Sequence, residues 1–275
     1  MGRMAGKGAD ARAVVGLLLC GAGLAGCGEP EPPADDMVAI PAGDYLIGRD
    51  DATEAEGPAH TVTLSGFEID RHEVTNREFK LFINADTCPV ESAEGIPDPC
   101  VYDGSFQSNT HPDYWSSATY TDYPVINVRW DQASAYCAWV GKRLPTEAEW
   151  EAAARGAEAL IHPWGEDTPT CDFANYEGCQ PDTIAVGTLD KGASPYGAVD
   201  MSGNVAEWTA DYYNESFYEW GDTVDPIGPD NGSMRVVRGG SYYCPEEKLT
   251  TTFRDLGNPI LQYNSIGFRC ARSTN

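Results

Sequence analysis

The chain has 275 residues, with 18 lysines and arginines against 43 aspartates and glutamates, and a formal net charge of −25. A surface this negative repels phosphate backbones, which argues against nucleic acid as a partner. The length suits one large domain or two small ones, with enough chain to bury a core unaided by metal or disulfides.

Residues 1–26 open with Arg3, Lys7 and Arg12, run through a short apolar stretch from Ala13 to Ala25, and close on Leu24-Ala25-Gly26-Cys27. That stretch is too short to span a bilayer, and small residues before a cysteine form the pattern of a bacterial lipobox. The expectation is a cleaved leader over 1–26 and a lipid on Cys27, which exports the protein and anchors it to a membrane, at its periplasmic face or on the cell surface. The alternative is a plain secretory leader with a chance cysteine. Residues 27–36, which include EPEPPADD from Glu29 to Asp36, read as an acidic, Pro-rich tether.

Residues 37–273 read as the folded domain. MVAIPAG, DYLIG and HTVTLSGFEID are short strands broken by glycine and proline, with a polar loop, RDDATEAEGP, among them. Thr75 and Glu78 have capping-box spacing, and Phe79, Phe82 and Ile83 share one face, which predicts a helix over 76–84. Residues 85–124 are a long surface insertion carrying Cys88 and Cys100. Tyr123 to Val128 reads as a strand. Asp131 is expected to cap a helix that runs to Val140 and stops at Gly141. Thr146 and Glu149 form a second capping box, opening a helix that ends near Arg155-Gly156. Beyond 157, Gly, Asn, Asp, Tyr and Trp recur at short intervals, a composition that folds as loops around a small sheet.

Beyond the leader and Cys27, seven cysteines remain: Cys88, Cys100, Cys137, Cys171, Cys179, Cys244 and Cys270. Export places them where disulfides persist, and an odd number leaves one over. Cys88–Cys100 and Cys171–Cys179 are candidates for local staples, although spacing alone does not assign pairs.

Several motifs then occur in one order. Met37-Val38-Ala39-Ile40-Pro41-Ala42-Gly43 precedes Gly66-Phe67-Glu68-Ile69-Asp70-Arg71-His72-Glu73-Val74-Thr75-Asn76. Gly141-Lys142-Arg143-Leu144-Pro145-Thr146-Glu147-Ala148-Glu149-Trp150-Glu151 follows, then Asp200-Met201-Ser202-Gly203-Asn204-Val205 with Glu207-Trp208. The series closes on Arg238-Gly239-Gly240-Ser241 and Gly267-Phe268-Arg269-Cys270. Together they resemble the sulfatase-modifying factor family, which includes the formylglycine-generating enzymes, over about residues 37–272. The resemblance implies an α+β fold related to the C-type lectin fold, with little regular secondary structure. Fold does not settle function. The family includes copper-dependent oxidases that convert a sulfatase cysteine to formylglycine, iron-dependent sulfoxide synthases, and members of unknown role.

In the copper enzymes two cysteines, five residues apart, follow Arg-Gly-Gly-Ser, and paired thiolates suit soft Cu(I). Here Ser241 matches the family's active-site serine and Cys244 the first cysteine, but the second position holds Leu249. The tryptophan usual before the glutamate of the Gly-Asn motif is here Ala206. Copper is therefore not expected. Cys244 has three readings: a lone copper or substrate-thiol ligand, a disulfide partner, or a thiol without chemistry. Glu246 and Glu247 oppose a thiolate there, while Arg238 and Arg254 favour one. Cys137 and Cys270 match a bridged pair of the family, and pairing Cys88 with Cys100 and Cys171 with Cys179 leaves Cys244 free. The family's second bridge falls on Ala154 and Arg254 and is missing as a unit.

The loop from Asp200 to Glu207 resembles a family calcium site, with carboxylates from Asp200 and Glu207 and backbone carbonyls from Gly203 and Val205, oxygens that suit Ca²⁺. Asn175 and Tyr176 resemble the start of a second such site, with Asp182 and Ile184 as its later members. The alternative is a metal-free turn satisfied by nearby amides. The histidines, His60, His72, His111 and His162, come without the additional helical domain that supplies the family's iron site. Tyr242 and Tyr243 flank the cleft position and are the candidates to line a pocket. No Gly-x-Ser-x-Gly, His-Glu-x-x-His or Walker sequence supports a hydrolase or nucleotide enzyme. The leading expectation is a lipid-anchored, calcium-binding domain, not a competent formylglycine-generating oxidase, with a groove for a peptide or protein ligand. The alternatives are a divergent oxidoreductase centred on Cys244 and Ser241, and a surface module that recognises sugars or other ligands.

Overall fold

The computed structural model describes residues 30–85, 98–100, 108 and 110–274. The leader, Cys27 and Cys88 lie outside the described residues. Four short strands open the domain: β1 (Met37–Ile40), β2 (Gly43–Ile47), β3 (His60–Leu64) and β4 (Phe67–Asp70). β2 and β3 form an antiparallel pair, while β4 sits between β1 and the last strand, β9 (Ala271–Ser273). Alternation puts Val38, Ile40, Tyr45, Ile47, Val62 and Leu64 inside, as a half-buried strand requires. A second sheet runs in the order β7 (Arg254–Gly257), β6 (Arg235–Arg238), β5 (Ala206–Tyr212), β8 (Ile266–Gly267). The result is the α+β architecture of small sheets and long loops that the motifs imply.

Helix α1 (Asn76–Ile83) has the expected capping box: the Thr75 hydroxyl accepts from the Glu78 amide at 3.3 Å, and Glu78 accepts from the Thr75 amide at 2.8 Å. Its apolar face packs Phe79 and Phe82 against Tyr136 of α2 (Trp130–Trp139). Helix α3 (Glu147–Arg155) starts from the second capping box, Thr146 with Glu149, and ends at Gly156. A one-turn helix, α4 (Phe217–Trp220), follows β5.

Two local expectations are corrected. Residues 123–128 are largely buried but join no sheet. Pro124 makes a single bridge with Thr75, and Asn127, at φ 58°, breaks the extended run and sends its amide to the Tyr263 carbonyl at 2.8 Å. Asp131 does not cap α2. Arg129 is the cap residue, its amide held by the Gln132 side chain at 2.9 Å, and Asp131 lies inside the first turn paired with the Arg129 guanidinium at 2.9 Å.

Every residue of α3 is buried, including Glu147, Glu149, Glu151 and Arg155. Such charges survive burial only when paired. Arg238 reaches Glu151 at 2.6 Å and Glu147 at 3.2 Å, Arg254 reaches Glu147 at 2.6 Å, and Arg155 reaches Glu151 at 2.8 Å. Arg238 also donates to the carbonyls of Thr251 and Thr252 at 2.7 and 3.1 Å. These contacts fix the segment between β6 and β7, which carries Ser241, Cys244 and Leu249.

The Cys137–Cys270 disulfide (S–S 2.01 Å) ties α2 to the residue before β9, and Cys171–Cys179 (2.08 Å) closes a short loop. Cys100 is also disulfide-bonded. Asp35 pairs with Lys142 at 2.9 Å and Arg272 at 2.7 Å, and Asp36 with Arg71 at 3.1 Å, so the end of the acidic stretch lies on the domain.

Candidate functional site

Gly239 and Gly240, at φ 91° and 68°, turn the chain out of β6 and deliver Ser241 to a cleft of about 120 Å³. Cys244 is free and buried, its sulfur 3.3 Å from the Ser241 hydroxyl. The cleft is otherwise lined mainly by Ala206, Val237, Phe253, Leu256, Tyr263 and Ile266. Of the two tyrosines expected to line it, Tyr243 does so and is exposed, whereas Tyr242 is buried away at 2% exposure.

Leu249 is 0% exposed. Its carbonyl accepts from the Ser202 hydroxyl at 2.8 Å and stands 3.2 Å from His162 Nδ1. Burial holds the His162 pKa below the ordinary histidine value, and its ring stacks on Trp164. The second soft-ligand position is thus a packed aliphatic side chain. Arg238 and Arg254, the cations expected to favour a thiolate, are taken up by Glu147 and Glu151. One thiol, a hydroxyl and apolar walls do not make a copper(I) site.

The loop at Asp200–Glu207 is built differently. Asp200, Gly203 and Asn204 all have positive φ. A side chain on Gly203 would meet the Asn175 carbonyl at 2.4 Å, so only glycine fits there. Gly203 and Val205 are buried, and among the described residues no hydrogen bond reaches either carbonyl. Asp200 spends one carboxylate oxygen on the Gly187 amide at 2.6 Å. Glu207 is more committed: Arg269 holds both its oxygens, at 2.7 and 2.8 Å, and Trp150 donates to one at 2.8 Å. Glu73 lies against this loop, with one oxygen 3.1 Å from the Asn204 side-chain amide nitrogen and the other buried without a partner among the described residues. Burial, then the charge of Asp200, drives the Glu73 pKa well up against the pull of Arg269, and burial raises Asp200 as well. Among the described residues no three His, Cys, Asp or Glu side chains converge on one point, but half of this loop's donor set is backbone. Carbonyls that no hydrogen bond reaches among the described residues, and the Asp200 carboxylate, are oxygens of the kind a hard cation takes.

The second set is spent internally. Asn175 Oδ1 accepts from Gln180, the Tyr176 carbonyl from Cys179, and the Ile184 carbonyl from Asn204. Asp182 accepts from the Thr110 amide and hydroxyl at 3.0 and 2.7 Å. Sequence reasoning missed Glu73 and the Glu147–Glu151–Arg238–Arg254 cluster.

A mixed fold with a Gly-Gly-Ser turn beside a buried thiol and an acidic glycine loop defines a class, and comparison places it. A family model described as sulfatase-modifying factor enzyme 1-like domain matches residues 26–274. The chain belongs to the sulfatase-modifying factor family. It is similar to a formylglycine-generating enzyme of Thermomonospora curvata, 35% identical, covering 88% of this chain and 95% of that protein. It is also similar to the inactive C-alpha-formylglycine-generating enzyme 2 of Mus musculus, 32% identical, covering 90% and 88%. The serine/threonine-protein kinase Pkn1 of Chlamydia trachomatis matches at 35% over 89% of this chain, which spans 39% of that protein. Among solved structures, PvdO from Pseudomonas aeruginosa superposes with a TM-score of 0.70 at 27% identity, covering 87% of this chain and 95% of that one. Near-equal likeness to an enzyme and to a relative described as inactive leaves function to the residues of the cleft.

Proposed function

We propose that the protein is an exported, lipid-anchored domain of this family that binds a peptide at the Ser241–Cys244 cleft and does not oxidise a sulfatase cysteine. The observation that carries this reading is Leu249, buried at 0% exposure in the position where a second copper thiolate is needed. The cleft has one thiol and mostly apolar walls. Calcium belongs to the Asp200–Glu207 loop in this reading, held by Asp200 and the Gly203 and Val205 carbonyls, with Glu207 sharing its carboxylate with Arg269. It would brace loops that no sheet supports. Asn175 and Tyr176, whose partners are internal, are left out. In this reading residues 1–26 are a cleaved leader, and the lipid on Cys27 attaches the domain to the membrane.

A divergent oxidoreductase is the second reading, favoured by the free thiol 3.3 Å from Ser241. Copper-loaded protein incubated under oxygen with a Cys-x-Pro-x-Arg peptide separates the two by mass spectrometry. Binding without conversion is expected. Aldehyde formation that disappears in Cys244→Ala would overturn the reading.

A further inference from the structure

A second cavity, of about 510 Å³, shares no lining residue with the Ser241–Cys244 cleft. Its volume falls within the roughly 300–1,000 Å³ of small-molecule sites. Its walls come from separate elements: Trp130 and Ser134 from α2, Glu149 from α3, Leu64 from β3, Ala210 from β5 and Ser273 from β9. Backbone bonds lock these walls together. Arg143 and Ala271 exchange amide-to-carbonyl bonds at 2.9 and 2.7 Å, and the Ala210 amide donates to the Pro145 carbonyl at 2.8 Å. Trp130 is held by its own indole N–H, which donates to the Thr209 carbonyl at 2.7 Å, and by the Arg235 guanidinium, 3.7 Å from its ring centroid. A site fixed in this way loses little freedom when a ligand enters.

Two observations describe that ligand. The first is the apolar wall. Leu64, Leu144, Pro226 and Ile227 line the cavity beside Trp130, and Ile227 stands 70% exposed at its mouth. The second is the contrast between two charged groups. Arg143 lines the cavity but is already spent: it donates to the two Glu149 oxygens at 2.6 Å each, to the Leu144 carbonyl at 3.2 Å and to the Ser273 hydroxyl at 3.0 Å. It has little left for an anion. Asp225 also lines the cavity, and no cation pairs with it among the described residues. Its oxygens accept one bond each, from the Ser65 amide at 2.7 Å and the Ser65 hydroxyl at 2.8 Å, which aims the carboxylate and leaves lone pairs open. Its φ of 43° is in the left-handed region, where a side chain persists only when its surroundings hold it there. The cavity thus sets a fixed, uncompensated negative charge beside aromatic and aliphatic walls.

We infer that this cavity binds a small organic amine, a bulky apolar or aromatic body carrying one ammonium group. The body packs against Trp130, Leu144 and Ile227, and the ammonium pairs with Asp225. The chain's net charge of −25 draws such a cation toward the protein. The site is independent of any activity at the Ser241–Cys244 cleft.

The test titrates four probes calorimetrically into the purified protein at neutral pH: tryptamine, its neutral analogue tryptophol, the carboxylate indolepropionate, and ethylamine. Tryptamine should bind saturably. Ethylamine, which lacks the ring, should bind about tenfold more weakly or worse. Tryptophol should bind several-fold more weakly than tryptamine and indolepropionate more weakly still, with differences that shrink as salt is added. Asp225→Asn keeps an acceptor for Ser65 and suits a positive φ. It should weaken tryptamine several-fold and leave tryptophol unchanged. Ser134→Phe, at a half-buried position on α2 that faces the cavity, should abolish binding of both while the thermal melt shows a folded protein. Equal binding of tryptamine and indolepropionate, tryptamine binding that survives Ser134→Phe, or no saturable binding by folded protein would overturn the inference.

Discussion

The polar cluster under α3 and the cleft beside Ser241 are joined by one short segment, yet they are built on opposite principles. In the cluster, Arg238, Arg254 and Arg155 meet Glu147 and Glu151, with the Nε atoms of Arg155 and Arg238 left unpaired among the described residues. In the cleft, a thiol and a hydroxyl face apolar walls. The segment from Ser241 to Leu249 is thus held in place by paired charges, while the cleft it borders is mostly apolar.

Arg238→Met attacks the first half of that contrast hardest. It leaves Glu147 short of one buried cation and Glu151 with only Arg155, and should cost about 3–5 kcal/mol, with thermal melting lowered by roughly 6–20 °C. A loss within a degree or two would mean that the pairs contribute little. Replacing Cys137 and Cys270 by serine should cost about 2–5 kcal/mol in denaturant unfolding.

Calcium sharpens the contrast from the other side. If the Asp200–Glu207 loop holds an ion, calcium at a hundred times its dissociation constant should add about 2.7 kcal/mol, and Asp200→Asn should remove that gain. Unchanged melting with and without chelator would eliminate this part of the proposal. The pH dependence tests the cluster again. Burial opposes ionisation of Glu147, but Arg254 and Arg238 outweigh it and hold its pKa below 4.5. Its stabilising contribution is then present above pH 4.5 and lost as pH falls through the lower folded value. Thermal melts across that range should show this acid loss, and it should be smaller in Glu147→Gln. Cys244→Ala should have the smallest effect, under about 1 kcal/mol, since the thiol acts as a small buried apolar group.

Much of this was legible in the sequence. Thr75 with Glu78 and Thr146 with Glu149 announced two helices because capping is a local interaction, and Gly141 and Gly156 announced where helices end. The Cys137–Cys270 pair was implied by the family resemblance, and the structure has it. Residues 123–128 misled because a buried apolar run looks the same whether it joins a sheet or merely lies under one, and nothing local reports Asn127 at positive φ. Asp131 misled because Gln132 does the reaching back. The cluster under α3 was hidden for another reason: nothing local to Glu147 and Glu151 reports that Arg238 and Arg254, 87 to 107 residues on, are placed beside them. In the site, the replacement at Leu249 was visible directly, but the capture of both arginines and the unclaimed carbonyls of Gly203 and Val205 needed the fold.

The most direct test is copper(I) binding itself, measured by competition with a chromogenic copper(I) chelator for wild type, Cys244→Ala and Leu249→Cys. The account predicts that wild type and Cys244→Ala both surrender their copper, while Leu249→Cys, with two thiols, retains one equivalent. Wild type holding one equivalent that Cys244→Ala releases would contradict it.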